Sequence, residues 1–157
     1  MIKVSVKDRG WKALQQTAQA LEAEKTFVKA GVLQPSAGRS DGIDNVSLAV
    51  IHEFGSPEAG VPQRSFIRSS FAAHKARYLD MLKKVMKAVY SGKAGALDKG
   101  LTLIGFQMAS DMKRGITKGE GIAPPLAEAT VLKKKSSRPL VDTGQLLRSI
   151  TSAVVKE

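Results

Sequence analysis

QRSFIRSSFAAHKARYLDMLKKVMKAVY, residues 63–90, is the longest patterned stretch of the chain, and its reading decides the fold. Ile67, Phe71, His74, Tyr78, Leu82, Val85 and Val89 recur at steps of 4, 3, 4, 4, 3 and 4. Such steps return a side chain to one face of a helix with 3.6 residues per turn, so the spacing predicts a long amphipathic helix. SGKAG, 91–95, breaks it. Leu97, Leu101, Ile104, Met108 and Met112 then repeat at steps of 4, 3, 4 and 4, which predicts a second long helix.

Working outward, residues 45–55 read as a short helix ended by Gly55, and SPEAGVP after it as a loop. Residues 26–33, TFVKAGVL, are short and rich in β-branched residues and predict a strand. So do 2–6, IKVSV, and 150–156, ITSAVVK. Residues 9–24 predict a helix capped by Asp8, with Trp11, Leu14, Ala18 and Leu21 on its apolar side. A further short helix is expected at 126–135, ended by SSRP. The sum is an α+β fold in one domain, 1–157. Two long helices are expected to pack on a small mixed or antiparallel β-sheet, with flexible loops near 34–44, 55–62 and 117–125.

The composition suits that size. At 157 residues the chain can bury a sizeable core, and 43% hydrophobic with 25% charged residues is ordinary for a globular protein. No run approaches the roughly 20 apolar residues of a membrane span, and the opening MIKVSVKDRGW lacks the apolar core of a secretory signal. No membrane partner is expected. The absence of cysteine removes disulfides and thiol chemistry and fits a reducing cytoplasm. The net charge is +11 and is unevenly placed. Residues 1–60 carry 7 Lys/Arg and 7 Asp/Glu, whereas 61–157 carry 18 against 7. All of the surplus therefore falls after residue 60, which suggests a surface facing phosphates or an acidic partner.

Few residues point to catalysis. Asp142-Thr143-Gly144, in PLVDTGQLLRSI at 139–150, has the form of half an aspartic-protease site. Two such loops must face each other to share a proton, and the chain has one, with 15 residues after Asp142. Asp142 or Thr143 instead reads as the cap of a short helix, with Gly144 as its turn and Gln145 in capping-box position. His52-Glu53 opens like a zinc-protease helix, but position 56 is Ser56 and no second histidine ligand follows, so no metal is expected. His74 lies on the apolar stripe and reads as a core or interface histidine. No Gly-rich loop matches a phosphate or dinucleotide fingerprint, so no cofactor is expected.

Two basic clusters remain. Lys83, Lys84 and Lys87 share a polar helix face on which Asp80 can pair with Lys84, and Lys133, Lys134, Lys135 and Arg138 form the densest group. Either is a candidate for sequence-independent contact with DNA, or simply a solvated face.

Three segments in order carry a family resemblance. LAVIHEFGS (48–56) holds His52, Glu53, Phe54 and Gly55; VPQRSFIRSSF (61–71) holds Pro62, Arg64, Phe66 and Arg68; PLVDTGQLLRSI holds Asp142, Thr143, Gly144 and Leu146. Together they resemble the signatures of the small neck and tail-completion proteins of long-tailed bacteriophages, of the minor tail protein Z and virion-morphogenesis type. The Pro-rich APPLAEATVLKKK before the last motif is similar to that family's lead into it. The resemblance implies a structural virion protein and not an enzyme. It implies a homo-oligomeric ring, usually hexameric, at the head-proximal end of the tail. The implied partners are the tail tube or tail terminator protein, the head-side connector or stopper, and genomic DNA passing through the lumen without sequence preference. Assembly in the host cytoplasm follows. The motif residues read as junctions: Gly55 as a left-handed helix cap, Phe66 as the start of the long helix's buried face, and Arg64 and Arg68, one turn apart, as partners for Glu53 or a neighbouring subunit. The other reading is a stand-alone nucleic-acid-binding protein, favoured by charge but lacking a recognition motif.

Overall fold

The computed structural model describes residues 10–23, 25–33, 42–119, 122 and 144–157. Their elements run α1 (Trp11–Ala23), β1 (Thr26–Val32), α2 (Asn45–Phe54), α3 (Ile67–Tyr90), α4 (Ala96–Lys118), α5 (Gln145–Ser149) and β2 (Ile150–Lys156). The fold is α+β, as the periodicities predict. The expected strand at 2–6, the cap Asp8 and the expected helix at 126–135 lie outside the described residues.

β1 and β2 pair antiparallel in a register running from Thr26 opposite Lys156 to Val32 opposite Ile150. Alternation places Val28, Ala30 and Val32 on the same face as Ile150, Ser152 and Val154. That face receives α4, and two glycines show how tightly. A Cβ at Gly105 would stand 2.9 Å from the Ser152 Cβ and 3.1 Å from a Val28 methyl. A Cβ at Gly100 would fall 2.3 Å from a Val85 methyl of α3. Five residues apart, the two glycines look to different sides of α4, one toward the sheet and one toward α3. α4 is thus the central layer, lying directly on the sheet, and α3 packs against α4.

This layering explains the burial. Leu101, Ile104 and Met112 of the predicted α4 stripe are buried, Leu97 and Met108 are half-buried, and Ala109 and Ile116, which the stripe did not include, are buried as well. Among the described residues, α3 packs chiefly against α4. Of its predicted stripe Tyr78 is buried, while Phe71 and Leu82 remain exposed, contrary to the sequence expectation. α1 departs further. Trp11 is 62% exposed and Leu14 is exposed as well, because α1 leans on α3 at the periphery instead of entering the core. The main core joins Ala49, Phe66, Ala109, Met112, Ile116, Ile122, Leu146 and Ile150, drawn from α2, the entry to α3, α4, α5 and β2.

Asp44 opens α2 by accepting the Val46 and Ser47 N–H groups at 2.8 and 3.0 Å. Two expected loops are shorter or firmer than their composition suggests. α4 continues through Thr117 and Lys118 and ends on Gly119. Residues 55–62 close on themselves: Ser56 and Val61 exchange two backbone hydrogen bonds, and Ala59 and Gly60 complete the turn between them. Satisfied backbone groups within the turn hold this stretch.

Candidate functional site

The first two motifs meet through one carboxylate. α3 starts at Ile67 and not at residue 63, and its N-cap residue, Phe66, has no side chain able to accept its first N–H groups. Glu53, from the last turn of α2, supplies that acceptor. Its Oε2 accepts the N–H of Phe66 and of Ile67, both at 2.9 Å. Its Oε1 accepts the Arg68 N–H at 3.1 Å, the Arg68 Nε–H at 2.9 Å and the Ser65 hydroxyl at 2.7 Å. A negative charge here also faces the positive end of the helix dipole. Five donors on two oxygens leave Glu53 no lone pair for metal ligation or proton abstraction. The zinc-protease likeness of His52-Glu53 therefore dissolves into capping.

The cap is reciprocal. The α2 carbonyls at Glu53 and His52 would otherwise be orphaned at a helix end. The Glu53 carbonyl accepts from Gln63 Nε2 at 3.0 Å and Arg68 Nη2 at 2.9 Å, and the His52 carbonyl accepts the Arg64 N–H at 2.7 Å. Gly55 makes the turn between them. It has φ +79° and ψ 171°, so its positive φ is as expected but its conformation is extended in ψ, not a left-handed helical cap. A Cβ there would stand 2.9 Å from the Gln63 N. Arg68 then lies over the Phe54 ring, 4.7 Å from its centroid. Pro62 precedes residues 63–65, which lie outside any helix or strand, rather than the helix itself. Arg64 belongs to that non-helical stretch and is buried, so it does not sit one helical turn from Arg68 as expected; the Glu53 cap sets the helix start beyond it.

Glu53 is 4% exposed, and burial by itself would raise its pKa. The Ser65 hydroxyl, the Ile67 and Arg68 N–H groups and the Arg68 guanidinium outweigh that and hold the carboxyl below its ordinary value.

The third motif joins the same core. Asp142 and Thr143 lie outside the described residues. Gly144, at φ +72°, turns the chain into α5, and its carbonyl accepts the Arg148 N–H at 3.0 Å. Leu146 is buried in one cluster with Ala49 of α2 and Phe66, and Leu147 packs against it. Ile150, at 1% exposure, begins β2.

The basic candidates separate. Lys83, Lys84 and Lys87 are exposed along α3. Asp80 pairs with Lys83 at 3.2 Å, not with Lys84; its short side chain reaches the residue three positions on. Lys133, Lys134, Lys135 and Arg138 lie outside the described residues.

A second polar cluster was not singled out from the sequence. Asp111 of α4 is 1% exposed. Its Oδ2 accepts from the Tyr78 hydroxyl at 2.8 Å and pairs with Arg77, and its Oδ1 accepts from Gln107 at 3.1 Å. Burial works against the carboxylate, but the Arg77, Tyr78 and Gln107 donors hold its pKa below normal. Burial and the adjacent carboxylate push the Tyr78 phenol up to about 12. The available signal was position 111, seven residues after Ile104 and so on the apolar side of α4.

No protein-family model matches the chain, and neither a curated protein nor a solved structure does. Among the described residues, no helix is long and apolar enough to cross a membrane.

Proposed function

We propose that this chain is a structural subunit of a phage neck. Copies form a ring at the head-proximal end of the tail and act in tail completion and head–tail joining, with DNA passing through the lumen. One observation carries the reading. The motifs behind the family resemblance converge on one core, where Glu53 of the first caps the helix of the second, and Leu146 of the third joins the same buried cluster as Phe66. Residues with one shared structural task account for an ordered trio of motifs without invoking catalysis. Tail-terminator and head-closure roles use the same kind of subunit and belong to this reading.

Exposed apolar side chains agree with a subunit that assembles. Phe54 and Val50 lie one turn apart on α2, and Leu103 and Phe106 lie one turn apart on α4, the last two more than 60% exposed. A ring needs two different complementary surfaces on each subunit. Electron microscopy of particles made without this protein tests the role: separate, intact heads and tails are expected, and normal infectious particles would exclude it.

The exposed Lys83, Lys84 and Lys87, with the net charge of +11, favour a second reading as a stand-alone nucleic-acid-binding protein. That protein would shift duplex DNA as a monomer with a steep salt dependence.

A further inference from the structure

A recess between the first half of α3 and the last turns of α4 is built from polar groups that the capped junction leaves unused. Its volume is about 280 Å³. Phe66 and Ile122, both buried, give it an apolar wall. Ser70 and His74 enter from α3, one turn apart. Asp111, Arg114 and Lys118 enter from α4 at steps of 3 and 4, hence on one face.

Ser70 is the telling residue. It is 8% exposed, and its Oγ is buried without a hydrogen-bond partner. Other helical hydroxyls here bond back to the carbonyl four residues earlier: Ser69 to Ser65, Thr102 to Asp98 and Thr117 to Lys113. Ser70 makes no such bond, so a donor is left unspent on the wall of a cavity. His74 is oriented as well. Its Nδ1 lies 2.9 Å from the Ser70 carbonyl, which can only accept, so Nδ1 carries the proton.

Charge sets the sign of the occupant. Asp111 is matched by Arg77 and further satisfied by Tyr78 and Gln107. Among the described lining residues, Arg114 therefore leaves the wall with a positive charge. We propose that this recess binds the oxyanion group of a small molecule, a phosphate or a carboxylate, with Ser70 Oγ and the Arg114 guanidinium as donors. A guanidinium fork fits either oxyanion, and the apolar wall accommodates the body that carries it. The site is independent of the neck reading.

NMR titration of the full chain with inorganic phosphate, and separately with succinate, at ionic strength fixed by chloride, tests the proposal. Saturable amide shifts at Ser70, His74 and Arg114 are expected with at least one anion, and which anion saturates identifies the group. Ser70→Ala and Arg114→Gln should each weaken binding at least tenfold, and Lys84→Gln should leave it unchanged. Short duplex DNA forms a parallel arm. Shifts at the recess with DNA alone would overturn the small-molecule site in favour of a nucleic-acid contact. No saturable shift with either anion in the unaltered protein would overturn the proposal outright.

Discussion

At the residue scale, Glu53 is the side chain whose loss is most costly for its size. Removing it leaves three N–H groups at the start of α3 and the Arg68 Nε–H without their acceptor. Because Arg68 is half exposed and can be rehydrated, Glu53→Ala is expected to cost about 2–3 kcal/mol in urea unfolding, near charge-assisted bond values and below those for a fully buried pair. The pH dependence has a definite sign. The folded carboxyl titrates below its ordinary value of 4.5, so its contribution is present above that value and is lost as pH falls through the lower, folded pKa. The urea midpoint should drop on acidification below pH 4.5, and Glu53→Gln should flatten that drop. Tyr78 gives the opposite case. Its phenol is raised from 10.0 to about 12, so its stabilisation is complete below pH 10 and is lost between 10 and 12. A 295 nm titration should show one of the two tyrosines ionising late, and Tyr78→Phe should remove that phase at a cost of about 1–2 kcal/mol.

At the element scale, α4 is decided by what approaches it. Alanine stabilises an exposed helix interior by about 1 kcal/mol over glycine. At Gly100 the new methyl would instead collide with Val85 near its Cβ, on a β-branched side chain with little room to turn. Overpacking typically costs 1–3 kcal/mol, so Gly100→Ala is expected to lower the thermal midpoint despite its better propensity. A raised midpoint would show that α3 and α4 are not in close contact there. Both long helices were legible from periodicity, and so were β1 and β2 from their β-branched runs. The buried side of α3 was not, because its stripe spans more of the helix surface than α4 can cover; Phe71 and Leu82 fall outside the contact. The turn at 55–62 looked loose because its composition is that of any loop. Its order comes from backbone bonds between Ser56 and Val61, which no residue type announces.

At the scale of the whole molecule, a small sheet, one central helix and a second helix over it leave much apolar surface outside. On the ring reading that surface is buried between copies. Leu103→Asp combined with Phe106→Asp should then reduce assembly in sedimentation velocity while the far-UV melt of the subunit stays within a few degrees, since both side chains are exposed. Assembly unchanged by both charges would remove this helix face from the interface. The sequence by itself determined the α+β class, the placement of the long helices and paired strands, and the three motif segments, because these are local patterns of spacing and residue type. Only the tertiary structure decided what those patterns do. Glu53 caps a helix that starts 14 residues further on, Leu146 shares a buried cluster with Phe66, and Asp111 meets Arg77 and Tyr78 from another helix. Each depends on which distant segments share space, and there a buried charge or an orphaned helix end is stable only when its partner arrives from elsewhere in the chain.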